Sequence, residues 1–248
     1  MFRTLFACYL IFCANGASVQ LDERIIGGHE ISINEAPYQA GILLNGQHIC
    51  GAVIISSAFV LSAAHCSLHC NALYVYIRVG SSNANSGGYE HGATQIINHA
   101  SYYSKPVPNH DISLIRVGIP FEYLPTVRAI SLASEVPAAG SSVVTSGWGA
   151  TSEGGAVSDQ LLQVQVEVVD QAQCNHSYSH EIKDTMVCAG VSGGGKGTCL
   201  TDSGGPLVQA GKLVGIVSFG FGCARKGYPG VYASVPYFRH WIKIHAGV

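Results

Sequence analysis

Short apolar runs broken by polar, glycine-rich stretches dominate the chain from about residue 25 onward. Leu162-Gln163-Val164-Gln165-Val166 alternates apolar and polar positions with period two, the pattern of a half-buried β-strand. Gly51–Ile55, Leu73–Ile77 and Leu213–Val217 are nearly continuous in apolar residues and rich in β-branched or aromatic side chains, which predicts buried strands. The stretches 81–92, 151–159 and 192–198 read as loops, and a proline-containing stretch near 120–130 reads as a connection between two β halves. Only the end of the chain changes period. Phe238, Trp241, Ile242 and Ile244 suit a short helix over 235–245. The fold class expected is all-β.

The first residues follow a different pattern. Arg3 precedes an apolar stretch, Leu5 to Cys13, and then the small residues Ala14, Gly16 and Ala17. The stretch is too short to span a bilayer and has the layout of a cleaved secretory signal, here placed at 1–17. The expected location is therefore extracellular, and no membrane association is expected. Export permits disulfides. Of nine cysteines, Cys8 and Cys13 leave with the signal and seven remain, an odd number that leaves at least one thiol without an intramolecular partner.

Composition narrows the classes further. Hydrophobic residues make up 48% of the 248 positions and charged residues 11%, enough for a sizeable core and against disorder. The formal net charge is −2, and residues 1–24 carry two charges of each sign, so their removal leaves it unchanged. No basic field points to a nucleic-acid partner.

Three stretches carry candidate chemistry: Leu61-Ser62-Ala63-Ala64-His65-Cys66, Asn109-His110-Asp111-Ile112-Ser113-Leu114 and Thr201-Asp202-Ser203-Gly204-Gly205-Pro206. A serine hydroxyl is a weak nucleophile at neutral pH. It needs a base within hydrogen-bond reach, and the base needs a partner that fixes its tautomer and steadies its positive charge. Ser203, His65 and Asp111 are the residue types for those roles. A different chemistry is also visible: His65-Cys66-Ser67-Leu68-His69-Cys70 packs two histidines and two cysteines into six residues, the density of a metal-ligand cluster.

With these motifs in this order, the chain resembles the chymotrypsin/trypsin family of serine endopeptidases. The resemblance runs from Ile25 to Trp241 and also includes Ile25-Ile26-Gly27-Gly28, Gly147-Trp148-Gly149 and Pro229-Gly230-Val231-Tyr232. It implies two six-stranded antiparallel β-barrels with a triad of His65, Asp111 and Ser203 between them, an N-terminal barrel over about 25–125, a C-terminal barrel over about 126–234 and a terminal helix. It pairs Cys50 with Cys66, Cys174 with Cys188 and Cys199 with Cys223. That removes Cys66 from any metal cluster, frees His65 for catalysis and leaves Cys70 over. No metal or cofactor is expected.

The resemblance also implies a switch. A cut after Arg24 by a protease that favours basic residues would remove a propeptide, 18–24, and free the Ile25 amine to pair with Asp202. The specificity pocket maps to Gly197 at its floor, Gly220 and Gly230 on its walls, Thr198 near the base and Leu200 at the rim. Ser218, Phe219 and Gly220 form the edge that would pair with substrate backbone. With no carboxylate at Gly197, cleavage is expected after large apolar or aromatic residues. Expected partners are protein or peptide substrates and protein inhibitors, and the chain is expected to be a monomer.

One position departs from the family pattern. Thr201 stands where the family has glycine, and its amide with that of Ser203 would form the oxyanion hole. Positive φ is expected there, which a β-branched residue resists. Two readings follow. In one, Thr201 tolerates the strain and the endopeptidase works. In the other, the peptide flips, a donor is lost, and the chain is a weak or inactive homologue acting as a secreted binding protein. Asn175-His176-Ser177 also fits an N-glycosylation acceptor.

Overall fold

The structure, a computed structural model, describes residues 25–248. The expected signal (1–17) and propeptide (18–24, including Arg24) lie outside the described residues.

A two-residue strand, β1 (His29–Glu30), comes first and reaches across to pair with a strand of the second half of the molecule. The first half is a closed antiparallel ring of β2 (Gln39–Leu44), β3 (Gln47–Ile54), β4 (Phe59–Ser62), β5 (Val75–Val79), β6 (Tyr89–Asn98) and β7 (Ser113–Val117). Its strand order is β2-β3-β4-β7-β6-β5. The β2–β3 hairpin turns on Asn45-Gly46, both at positive φ (52° and 80°), the two-residue turn whose twist matches that of the strands. A single helical turn, α1 (Ala64–Ser67), follows β4 and carries His65.

The second half contains β8 (Ser131–Leu132), β9 (Ser142–Gly147), β10 (Leu162–Val169), β11 (Met186–Gly190), β12 (Pro206–Gln209), β13 (Lys212–Phe219) and β14 (Gly230–Ser234). The run β10-β11-β14-β13-β12-β9 is closed by the β9–β10 pairing, which makes a second six-stranded antiparallel ring. On its outside β1 pairs with β10, and β8 lies parallel to β13. As the alternation predicts, β10 buries Val164, Val166 and Val168 and exposes Gln165 and Glu167. A short helix, α2 (Gln171–Ser177), follows β10 and is capped by Asp170, whose carboxylate accepts from Ala172 N and Gln173 N.

The last helix, α3 (Val235–Ala246), stops at Gly247, which takes the left-handed conformation helices use at their ends. Phe238 and Ile242, one turn apart, are buried. Ile244 is 64% exposed, because six residues beyond Phe238 it has rotated off the buried face. The largest core cluster joins Ile77 and Leu114 of the first ring, Leu213 and Ile216 of the second, and Phe238 and Ile242 of α3. This cluster joins the helix to the first ring and to one side of the second, whose interior forms a separate cluster around Val164, Val166, Leu207 and Tyr232.

The strand expected over Leu73–Ile77 begins only at Val75. Asn71 accepts from Leu73 N–H (3.0 Å) and caps a 3-10 turn over Ala72–Tyr74, leaving Leu73 76% exposed. A local side-chain bond here outcompetes strand extension.

Candidate active site

His65 and Asp111 come from the first ring, at the end of β4 and just before β7. His65 Nδ1 lies 2.7 Å from Asp111 Oδ2, and His65 N donates to Asp111 Oδ1 at 2.9 Å. Asp111 is 1% exposed. A carboxylate only accepts, so its bond places the imidazole proton on Nδ1 and leaves Nε2 as an acceptor. Oδ2 also accepts from Ser218 Oγ at 2.5 Å. The sequence placed Ser218 on the substrate-pairing edge. Its hydroxyl is a third partner of Asp111 that no local motif announced.

Ser203 comes from the turn before β12, docked against the first ring. Gly51 N donates to Ser203 O at 2.8 Å. A Cβ at Gly204 would overlap Ser62 Oγ and Gly51 O, so only glycine lets the turn sit this close to β3 and β4. His65 Nε2 faces Cys66 Sγ at 3.7 Å and makes no hydrogen bond to Ser203 Oγ. Such contacts are commonly loose without substrate and tighten in the complex.

Thr201 has φ +69°, in the left-handed region that the family's glycine position implied. Asp202 N donates to Cys199 O at 3.2 Å, so Cys199-Leu200-Thr201-Asp202 is a turn with its third residue at positive φ, the signature of type II. Thr201 Oγ1 reaches Trp148 O at 3.5 Å. Among the described residues the amides of Thr201 and Ser203 donate to no protein acceptor. They are free for a ligand.

Asp202 is fully buried. Gly149 N and Cys199 N donate to it at 2.8 and 2.9 Å, yet burial outweighs these bonds and pushes its pKa up to about 7. A Cβ at Gly147 or Gly149 would overlap its carboxylate, which gives the Gly147-Trp148-Gly149 motif its physical sense. Ile25 is 0% exposed in the core of the second ring, and Gly197 N donates to Ile26 O at 3.2 Å. The start of the described chain is thus packed against the pocket floor.

Beside Ser203 opens a cavity of about 260 Å³. Gly197, Thr198, Leu200, Ser218, Phe219, Gly220 and Gly230, all expected there, line it. A Cβ at Gly230 would meet Thr198 Oγ1 at 3.4 Å, and one at Gly197 would meet Ala224 Cβ at 3.5 Å. Leu200 is 62% exposed at the rim. Among the described residues the charged ones in the lining are Lys196 and Arg225, and no carboxylate lines it.

The three disulfides are Cys50–Cys66, Cys174–Cys188 and Cys199–Cys223, and Cys70 is a free, partly buried thiol. His65 and the sulfurs of Cys50 and Cys66 lie close enough to suggest a metal site, but both sulfurs belong to one disulfide and offer no thiolate. Asn175 Oδ1 accepts from Ile182 N at 2.9 Å, inside the local structure of α2.

Comparison with known proteins agrees with this geometry. The Trypsin family model matches residues 25–242. Trypsin epsilon of Drosophila erecta is 42% identical over 92% of this chain and 90% of its own length. Trypsin delta of Drosophila melanogaster is 41% identical over 94% of each. Among solved structures, neuropsin, a serine protease expressed in the limbic system of mouse brain, superposes with a TM-score of 0.82 at 33% identity, covering 88% of this chain and 97% of that one. The chain belongs to the trypsin family of serine endopeptidases.

Proposed function

We propose that the protein is an exported endopeptidase, held as a zymogen until a cut after Arg24, that cleaves peptide bonds after large apolar or aromatic residues. The observation that carries the specificity is the pocket lining, with glycine at 197, 220 and 230 and, among the described residues, two cations and no carboxylate. A lysine or arginine side chain would find no counter-charge in it. A phenylalanine, tyrosine or leucine side chain would gain about 1.5–3 kcal/mol by burial there. The relatives named trypsins share the fold and the family, and the pocket argues for a different preference in this chain.

In this reading Ser203 Oγ attacks the substrate carbonyl carbon while His65 Nε2 takes its proton. The oxyanion that forms accepts from the amides of Thr201 and Ser203. His65 then returns the proton to the leaving amine, the C–N bond breaks, and an acyl-enzyme remains on Ser203 for water to release by the same steps. Asp111 holds the imidazole tautomer, and Ser218 Oγ and His65 N hold Asp111. The free amides and the type II turn favour the working enzyme over an inactive binding protein: Thr201 has kept the left-handed backbone instead of flipping the peptide.

Residues 1–17 serve as the signal, 18–24 as the propeptide and 25–248 as the protease domain. The three disulfides support an oxidising destination. Asp202 supports the switch. A buried carboxylate with only two N–H donors gains strongly from an ammonium, and the freed amine of Ile25 would supply one. The test is to cut the protein after Arg24 and assay peptide substrates ending in Phe, Leu, Arg or Ala, with Ser203→Ala as control. Cleavage after Phe or Leu that the control lacks is the expected result. Cleavage after Arg alone removes the pocket argument, and no cleavage with Ile25 as the free terminus returns the binding-protein reading.

A further inference from the structure

Arg225 is on the wall of the pocket, and it is not free. Its Nε donates to Glu153 Oε2 at 2.8 Å and its Nη2 to Glu153 Oε1 at 2.5 Å, a two-pronged pair between residues 72 positions apart. Glu153 Oε2 also accepts from Cys223 N at 3.4 Å. The guanidinium carbon lies 5.3 Å from the centroid of the Phe221 ring. A Cβ at Gly222 would overlap Arg225 Nε and lie 2.8 Å from Glu153 Oε2, so the pair is seated over a position only glycine can occupy. Next to it, Cys199 Sγ of the pocket disulfide lies 3.8 Å from Ser152 O. The 151–159 loop is thereby fastened to the pocket from outside, and Glu153 itself does not line the cavity.

We propose that Glu153 is a specificity-determining residue that acts by masking Arg225. With Glu153 in place, both prongs of the Arg225 guanidinium are occupied and this side of the pocket offers no free fork to a substrate carboxylate, so the cavity selects apolar side chains. Without it, the Arg225 fork is free at a cavity that no carboxylate lines among the described residues. The planar fork of arginine matches a carboxylate, so the same cavity would then accept glutamate or aspartate at the residue before the scissile bond. The Arg225 side chain is 48% accessible, so once Glu153 is gone a substrate carboxylate can reach it. Excluding a competitor by occupying the group that would bind it is an ordinary route to specificity. The inference rests on the proposed apolar preference of the pocket and adds what enforces it.

The test compares peptides identical except for Phe or Glu before the scissile bond, on protein cut after Arg24. In Glu153→Ala the ratio of kcat/KM for Glu over Phe should rise about tenfold, the effect of one partly solvated charge-assisted hydrogen bond. In Glu153→Gln it should rise less, because the amide still accepts one bond. In Glu153→Ala combined with Arg225→Ala the ratio should return to that of the parent. A ratio that stays put in Glu153→Ala overturns the proposal, and so does a rise that survives loss of Arg225. The same peptides with a Phe or Glu carboxyl end, titrated by calorimetry into the parent and the three variants made on Ser203→Ala, read the ratio without turnover. A parent that cuts neither peptide would then count against the proposed activity, while the binding ratio still decides the role of Glu153.

Discussion

The two rings have the same strand count and handle their share of the site differently. The first holds His65 and Asp111 close to regular strands and joins them by two bonds at 2.7 and 2.9 Å. The second places Ser203 and the cavity on loops between strands, where Gly194, Gly195, Gly204 and Gly222 all have positive φ and where Thr201 and Ala224 adopt it without being glycine. A rigid ring suits a base that must keep one tautomer. Loops suit a pocket bordered by the Cys199–Cys223 disulfide and the Arg225–Glu153 ion pair. The lesson is that the first ring should fail all at once, through its core, and the second piece by piece, through single contacts.

The largest expected effect falls on the junction. Ser203→Ala and His65→Ala should each lower kcat by about 10⁶, and Asp111→Asn by about 10⁴, with stability nearly unchanged. Steady-state rates on a Phe peptide check this. Equal, small losses for all three would mean that the rings do not meet in one catalytic unit.

Next comes the loop side alone. Burial lifts Asp202 from 3.8 to about 7 in the structure, the desolvation outweighing its bonds to Cys199 N and Gly149 N. The folded state then keeps a proton that the unfolded chain has already lost. Stability from this group is fully present below pH 3.8, declines as pH rises, and is gone above about pH 7, a span worth about 4 kcal/mol at 1.36 kcal/mol per unit. An ammonium at Ile25 reverses the sign by favouring the charged carboxylate. Melting curves from pH 4 to 8 should therefore show the uncut chain losing Tm as pH rises and the cut chain keeping it. Parallel curves would separate Asp202 from the switch.

On the first ring, Leu114→Ala should cost about 2–5 kcal/mol in denaturant unfolding while leaving the Phe-over-Leu preference of the enzyme as it was. A shift in preference would show that the ring core shapes the pocket after all. The smallest effect belongs to Thr201→Gly. Removing a β-branched side chain at φ +69° should relieve about 1–3 kcal/mol of strain, raise Tm and leave kcat within a few-fold. A large gain in kcat would mean that the threonine had been withholding its amide.

What the sequence made legible was whatever a local motif carries. The three disulfides and the pocket glycines are all tied to short patterns, and the structure pairs or groups them as expected. Short motifs also carried His65, Asp111 and Ser203; the structure joins the first two at 2.7 Å and docks the Ser203 turn on Gly51 of the first ring. Even the backbone of Thr201 was readable, because a glycine position implies a conformation. Contacts between distant polar residues were not. Ser218 reaches Asp111 across 107 positions and Arg225 reaches Glu153 across 72, and each half looks like an ordinary surface or strand residue on its own. Leu73 was misplaced for the opposite reason: an apolar run suggested a strand, and a single asparagine cap diverted it.

The central claim is that a pocket without a carboxylate selects large apolar side chains in a chain whose relatives are named trypsins. The most direct measurement is to digest a denatured, well-sequenced protein with the cut enzyme and identify every new terminus by mass spectrometry. Cuts clustered after phenylalanine, tyrosine, leucine and methionine are the expected result. Cuts clustered after lysine and arginine would contradict it.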